Sequence, residues 1–209
     1  QASAIRQRLR AVVPHDEHAG PDGCYHIRSL YFDTPTDKAL REKLDGVDAR
    51  EKYRLRYYNH DTTRIQLERK CKKNGLCIKQ SAPVTPEQCR RLLLGDIRWL
   101  WETKDPLLTG LYAAMLTTLL RPRTIVDYTR EAFCYPAGNV RITLDGDIRT
   151  GLSATNFLSA QVPTVSVLGQ TVLEVKYDAY LPAFLRDLVQ LKSVRTEAFS
   201  KYAQCRIFD

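Results

Sequence analysis

Lysine and arginine are concentrated in one stretch of this sequence, between Arg50 and Lys79. It holds ten basic and three acidic residues, so it carries +7 of the chain's formal net charge of +8. Basic residues alternate there with apolar ones, and a period of two is typical of β-strands. The sequence therefore predicts two neighbouring strands that present cations and one acid, Glu68, on a single face. Such a face suits an anionic ligand.

The same alternation of charged and apolar residues continues in three later stretches. On one face of each predicted strand, Tyr128 lies with Arg130, Arg141 with Thr143 and Asp145, and Glu174 with Lys176. An antiparallel sheet with one solvated face would explain each strand by itself. A sheet curled into a barrel beneath amphipathic helices would instead turn the charged faces into a lumen. Cations buried in a lumen need counter-charge, which an anionic ligand would supply.

Arginine and lysine side chains that converge from several strands suit a chain of phosphate groups. One guanidinium group can bind two phosphate oxygens at once, whereas lysine acts as a point charge. The isolated carboxylates Glu68, Asp145 and Glu174 would be out of place in a purely basic site unless they hold a divalent metal that bridges phosphate oxygens. The pattern therefore predicts a metal-assisted polyphosphate or nucleotide site. The four histidines fall mainly in predicted loops and are not expected to be catalytic.

Composition limits the class of protein. With 209 residues, 44% of them hydrophobic and 27% charged, the chain is expected to fold as one domain over residues 1–209. A pI near 9.2 favours an anionic partner, which could be nucleic acid, an acidic membrane surface or a phosphate-rich small molecule. No apolar run reaches the roughly 18 to 20 residues of a membrane helix. The six cysteines lack a CxxC pair, so they are expected to be reduced and the protein cytoplasmic.

The order of predicted elements supplies the frame for these side chains and indicates an α+β fold. Helices are predicted at Ala2–Val13, Asp37–Leu44, Pro86–Leu94, Asp105–Leu120 and Leu181–Val189. Strands are predicted at Cys24–Asp33, on both sides of a turn at Asn59–Thr62, and at Leu76–Ser81, Thr124–Tyr135, Val140–Asp147 and Gln170–Tyr180. The segment Gly151–Gly169 is predicted to be irregular, and Trp99 and Trp101 to lie in the core. Val194–Arg206 is predicted to run from a short strand or loop into a helix near Ser200.

Seven motifs occur in order along nearly the whole chain. They are SLYFD (29–33), KYRLRYY (52–58), LERK (67–70), VDYTREAF (126–133), RITLD (141–145), LEVKYD (173–178) and FSKY (199–202). Together they resemble the VTC-type polyphosphate polymerase domain, a branch of the triphosphate tunnel metalloenzymes in the CYTH-like superfamily.

This resemblance implies an antiparallel β-barrel of about eight strands, with helices packed on the outside and a basic tunnel inside. Its reaction would transfer the γ-phosphoryl group of ATP to a growing polyphosphate chain, with Mn²⁺ or Mg²⁺ as cofactor. Carried over by motif, the catalytic side chains would be Arg54, Arg56, Lys70, Arg130, Arg141 and Lys176. Substrate would also be bound by Lys79, Tyr128, Ser200 and Lys201. The metal ligands would be Glu174 and, as a second carboxylate, Glu68.

Two departures from the family pattern and two rival functions stay open at this point. The family begins with an E-x-K strand, so the first tunnel strand is expected to precede residue 1, and Ala198 stands where a basic residue is common. The same tunnel could deliver the phosphate of ATP or triphosphate to water, or bind polyphosphate without turnover. Nucleic acid is not expected as a partner, because the basic residues are interleaved with strand core and no RNP or zinc motif is present.

Overall fold

A computed structural model describes residues 1–191 and 196–207 of the chain. Within these residues there are seven helices: α1 (Ala2–Val12), α2 (Lys38–Leu44), α3 (Pro86–Leu93), α4 (Arg98–Glu102), α5 (Pro106–Thr117), α6 (Ala183–Val189) and α7 (Lys201–Cys205). There are eight strands: β1 (Cys24–Asp33), β2 (Arg50–Tyr58), β3 (Ile65–Lys73), β4 (Leu76–Val84), β5 (Arg121–Tyr135), β6 (Val140–Thr150), β7 (Val165–Leu168) and β8 (Val172–Lys176). None of the described helices is long and apolar enough to cross a membrane.

The eight strands form one antiparallel sheet, which confirms the predicted α+β class. The strand order is β4-β3-β2-β1-β5-β6-β7, and β8 pairs with β6. Over the described residues this order does not close on itself, so β4 and β7 stand at its two ends. The predicted basic strands are β2 and β3, which are neighbours in the sheet.

Local sequence explains where several of these elements begin and turn. Thr85 and Gln88 form a reciprocal capping box at the start of α3. The carboxylate of Asp105 accepts hydrogen bonds from the first backbone N–H groups of α5. Asn74 and Gly75 both have positive φ, 54° and 74°, as a two-residue hairpin turn requires. This turn fixes the register of β3 against β4, the two strands that carry Glu68 and Lys79.

The chain forms two compact units. The first unit comprises Gln1–His26, Tyr128–Ile148 and Leu168–Phe199, and the second comprises Ile27–Asp127, Arg149–Val167 and Ser200–Asp209. The first unit has its own core, in which α1 packs with β5, β6 and α6 through Ile5, Leu9, Phe133, Ile142, Leu144 and Leu185. The core of the second unit is larger and joins the inner faces of β1 to β4 to α3, α4 and α5. Each core buries the apolar face of its strands, so the charged side chains lie on the opposite face.

Three sequence predictions need correction, and one falls partly outside the described residues. Trp99 is buried as predicted, but Trp101 is 59% exposed, because residues two apart on a helix point to different sides. Helix α4, which carries both, was not predicted, and neither was β7 inside the segment predicted to be irregular. The helix near Ser200 is observed as α7, whereas Val194 and Arg195 of that prediction lie outside the described residues.

Candidate phosphate-binding site

The charged parities of β2, β3 and β4 meet on one face of the sheet in the second unit. The register sets Lys52 opposite Lys70 and Lys70 opposite Lys79, so three lysines form one row across the strands. In the next row Arg54 lies opposite Glu68. Side chains directly opposite in a ladder lie on the same face and are close enough to interact. The face predicted from alternation is therefore assembled by strand pairing.

Glu68 lies at the centre of this basic face. It is only 5% exposed, and its Oε2 is 2.6 Å from both Nε and Nη2 of Arg54. Its Oε1 is 2.7 Å from Nζ of Lys79, and Nη1 of Arg56 lies 3.6 Å from Oε2. Burial opposes ionisation of the carboxyl, but these cations outweigh it and lower the pKa of Glu68 to about 2. One carboxylate thus holds three cations in place, and these four side chains retain an excess of positive charge.

Tyr31 on β1 extends the basic face beyond the predicted residues. Its ring is buried, its OH accepts a hydrogen bond of 2.8 Å from Nη1 of Arg54, and Lys52 lies 5.8 Å from the ring centroid. Burial would raise the pKa of this phenol, but Arg54, Lys52 and Arg56 together lower it to about 7. Nε of Arg56 donates to the hydroxyl of Ser29, two residues earlier on β1. Ser29 and Tyr31 both occupy odd-numbered positions of the SLYFD strand, so they share one face. That alternation was the sequence signal for them, but neither was predicted as a site residue.

Helix α7 is attached to this region by its aromatic residue. Tyr202 stacks on Tyr31 with a centroid separation of 5.1 Å, and its OH donates a 2.6 Å hydrogen bond to Asp33. Burial and this hydrogen bond raise the pKa of Tyr202. Ser200, a predicted substrate ligand, accepts the backbone N–H of Ala203 as the cap of α7. Its hydroxyl therefore has a structural task, and Lys201 follows it as the first residue of the helix.

Three of the predicted site residues, Tyr128, Arg130 and Arg141, lie on β5 and β6 in the first unit. Arg130 makes two parallel hydrogen bonds to Asp145, 2.7 Å and 2.8 Å long, and its guanidinium lies 5.5 Å from the ring centroid of Tyr128. Asp145 is fully buried. Burial disfavours the charged guanidinium, but Asp145 more than compensates and raises the pKa of Arg130. A paired, nearly buried arginine of this kind is held rigidly.

Arg141 is anchored by two neighbours of its own unit. Its Nη2 donates to Asp16 at 2.6 Å and to the OH of Tyr25 at 2.8 Å. Burial raises the pKa of Tyr25, so the phenol stays neutral near pH 7. Asp16 lies in the loop after α1 and was not predicted as a site residue. The side chain of Arg141 as a whole is 41% exposed.

Glu174 and Lys176 occupy β8, which pairs with β6. Their charged atoms are 3.3 Å apart, and both side chains are substantially exposed, at 43% and 61%. The register places Glu174 opposite Thr143 and Lys176 opposite Arg141. Glu174 is thus the exposed carboxylate among the three acids that the sequence singled out, since Glu68 and Asp145 are buried.

The two predicted metal ligands differ in how well they fit a cation. Both oxygens of Glu68 are engaged by lysine or arginine, and a divalent cation there would have to displace them. Glu174 is exposed and has one lysine beside it, which suits Mg²⁺ or Mn²⁺ held by one carboxylate, water and substrate phosphates. No group of three or more potential metal ligands occurs among the residues that the structure describes. The donor set at Glu174 fits a metal delivered with phosphate, and that at Glu68 does not.

Acid titration of stability is expected to reveal the counter-ion role of Glu68. The pKa of its carboxyl is about 2 in the folded protein, against an ordinary value of 4.5. Because the folded pKa is the lower one, the stabilisation is present above pH 4.5 and is lost as the pH falls toward 2. Glu68→Gln is expected to lower the free energy of unfolding by about 3 kcal/mol at pH 7 and to approach the parent near pH 2. Urea unfolding at several pH values measures this.

A matched control for that titration is Glu51→Gln. Glu51 pairs with Arg69 on the other face of the same strands, where both side chains are about one-third or more exposed. Its loss is expected to cost less than about 1 kcal/mol at any pH. Parallel curves for Glu68→Gln and the parent across this pH range would contradict the counter-ion role.

The fold and the basic face together define a class: an α+β protein with an antiparallel sheet that carries a face rich in arginine and lysine. The family model for the VTC domain matches residues 1–207. The chain belongs to the VTC-domain family, and the resemblance drawn from the seven motifs is confirmed. No curated protein matches the sequence.

Three solved structures that are similar to this chain come from a bacterium, an archaeon and a plant. A Bacillus halodurans protein described as a "putative adenylate cyclase" has 12% identity and a TM-score of 0.50, with 95% of this chain and 89% of that chain covered. PH1819 of Pyrococcus horikoshii has 13% identity and a TM-score of 0.43, with 90% and 85% covered. The Hippeastrum protein HpAC1, described as having a dominant triphosphatase activity, also has 13% identity and a TM-score of 0.43, with 72% and 68% covered. At such identities the first likeness shows the fold alone.

Proposed function

We propose that this chain is a phosphotransferase that moves the γ-phosphoryl group of ATP to the end of a polyphosphate chain. The observation that supports it is the cluster in which Arg54, Arg56 and Lys79 converge on Glu68. Arginine and lysine held in this way are suited to successive phosphate groups. Membership of the VTC-domain family supports an enzyme that handles phosphoryl groups.

The proposed reaction needs little covalent chemistry from the protein. The bond between the γ-phosphorus and the oxygen that bridges to ADP breaks, and a terminal oxygen of the polyphosphate chain forms the new bond. Charge on the transferred group and on the leaving ADP must be neutralised and held in line, which guanidinium and ammonium groups can do. Mn²⁺ or Mg²⁺, bound by Glu174 with the substrate phosphates, would supply further neutralisation. Glu68 keeps Arg54 and Lys79 oriented before substrate arrives.

The remaining predicted residues have proposed roles that follow from their placement. Lys70 is exposed in the lysine row and would attract the polyanion. The proposed phosphate contacts of the first unit are Tyr128, Arg130, Arg141 and Lys176. In α7 the proposed contact is Lys201. A single domain and a cytoplasmic location remain predictions from the sequence.

Product analysis is expected to distinguish this proposal from its rivals. Incubation with ATP and Mn²⁺ is expected to give ADP and long-chain polyphosphate, measured by gel electrophoresis and by ADP release. Glu174→Gln is expected to lose the dependence on Mn²⁺ concentration, because it removes the proposed ligand charge. ADP and free phosphate without long-chain polyphosphate would identify a triphosphatase instead, and polyphosphate binding without ATP consumption would identify a binding module. Arg69→Ala, on the other face of the sheet, serves as the control with parent activity.

A further inference from the structure

The charged face of β6 contains a buried hydroxyl group that makes no hydrogen bond. Thr143 is 4% exposed, and its Oγ1 has no partner within the described part of the chain. A buried polar group without a partner loses its hydration and gains nothing in exchange. A valine would fill the same volume without that cost, so the hydroxyl calls for an explanation.

A second polar atom without a partner lies beside it. Nε of Arg141 is also buried and makes no hydrogen bond to any described residue, although its Nη2 is well bound. Arg141 and Thr143 are two residues apart on β6 and therefore share a face. Ile142, between them, is buried in the core of the first unit. Two unmet donors thus lie side by side on the charged face.

The acceptor nearest in register is the carboxylate of Glu174. Glu174 lies directly opposite Thr143 in the ladder between β6 and β8 and diagonally opposite Arg141. Directly opposite Cβ atoms are about 4.5 to 5.5 Å apart, and diagonal neighbours lie within reach of long side chains. In this structure Glu174 instead pairs with exposed Lys176 at 3.3 Å. An exposed pair of this kind is weak, so the carboxylate can turn at small cost.

We propose that Thr143 is a positioning residue whose hydroxyl donates a hydrogen bond to Glu174 when this carboxylate turns from Lys176 toward a phosphate-bound divalent cation. The proposal rests on the proposed function, in which Glu174 is the metal ligand. A carboxylate that accepts a hydrogen bond on one oxygen keeps a fixed orientation while the other oxygen faces the cation, and such supporting contacts affect metal affinity by about 10- to 100-fold. Arg141 Nε gains an acceptor by the same movement.

The test compares Thr143→Val with Thr143→Ser in two measurements. In the metal-free protein, Thr143→Val is expected to raise the melting temperature by about 2 to 4 °C, because it removes one unmet polar group from a chain of this size. Calorimetric titration with the Mn²⁺ complex of β,γ-imido-ATP is expected to show at least about a 10-fold loss of affinity in Thr143→Val and parent affinity in Thr143→Ser. Affinity for β,γ-imido-ATP without metal is expected to stay unchanged in both variants.

Glu174→Gln separates failure of this inference from failure of the proposed function. If Glu174→Gln weakens binding of the Mn²⁺ complex but Thr143→Val matches the parent, the role of Thr143 is refuted and that of Glu174 stands. If neither variant changes that affinity, the metal site at Glu174 is wrong and the inference falls with it. Thr143→Ala replaces the valine variant should that variant not fold. If Thr143→Val loses the same affinity for β,γ-imido-ATP with and without Mn²⁺, the effect of the substitution is a general structural one and the proposal is overturned.

Discussion

Arg54→Ala is expected to lower ATP turnover by about 10²- to 10³-fold while the protein keeps its fold, because one donor to the transferring phosphates is lost. Arg54 is the member of the Glu68 cluster that contacts both the carboxylate and Tyr31. After its removal, the buried carboxylate of Glu68 still has Lys79 and Arg56 as cationic partners. Steady-state ADP release at saturating ATP measures the change in kcat, and circular dichroism reports the fold.

The matched control for Arg54→Ala is Arg69→Ala. Arg69 lies on the neighbouring strand, pairs with Glu51 through a 2.7 Å hydrogen bond, and belongs to the opposite face of the sheet. Both substitutions remove one guanidinium and break one ion pair on the same sheet. If Arg54→Ala turns over ATP at the parent rate, or if Arg69→Ala loses as much activity, the assignment of the basic face to phosphate binding is wrong.

Arg130→Ala is expected to lower the free energy of unfolding by about 3 to 5 kcal/mol, the loss typical when one member of a buried ion pair is removed. Asp145 is fully buried and receives two charge-assisted hydrogen bonds from Arg130. Without the guanidinium, the carboxylate must ionise in the interior or take up a proton. Urea denaturation at pH 7 measures the change.

Two further variants make that result specific. Arg130→Ala combined with Asp145→Asn is expected to recover much of the stability, because the buried negative charge is removed together with the guanidinium. Arg6→Ala breaks an ion pair of the same length, 2.7 Å, in the same unit, but Arg6 is 38% exposed and Glu131 keeps Arg10. Its cost is expected to stay below about 1 kcal/mol. If Arg130→Ala lowers the free energy of unfolding by less than about 1 kcal/mol, the interpretation as a buried ion pair is contradicted. The activity of this variant is to be measured well below its unfolding transition.

Alternation along single strands was sufficient to predict which side chains share a face. The parity that holds Arg54 and Arg56 was correct, as were those of Arg130, of Arg141 with Asp145, and of Glu174 with Lys176. Period two is a property of the extended backbone, so each strand displays it locally. The prediction that Trp101 lies in the core was wrong, because the unpredicted helix α4 turns this tryptophan outward.

Partners across strands could not be obtained from the sequence. Glu68 was predicted as a second metal ligand, yet the register of β2, β3 and β4 surrounds it with Arg54, Arg56 and Lys79. Tyr31 acquires its low pKa only because β1 pairs with β2. Tyr202 and Asp33 are far apart in sequence and meet through folding of α7.

The sequence was enough to predict the α+β class, seven of the eight described strands, the family and the set of charged side chains available for phosphate chemistry. The partner of each charged side chain could be seen only in the folded protein, because the pKa and orientation of an ionisable group depend on burial and on the neighbours that strand register brings to it. That difference makes Glu68 a counter-ion, leaves Glu174 as the exposed carboxylate suited to a metal, and places the unmet hydroxyl of Thr143 beside it.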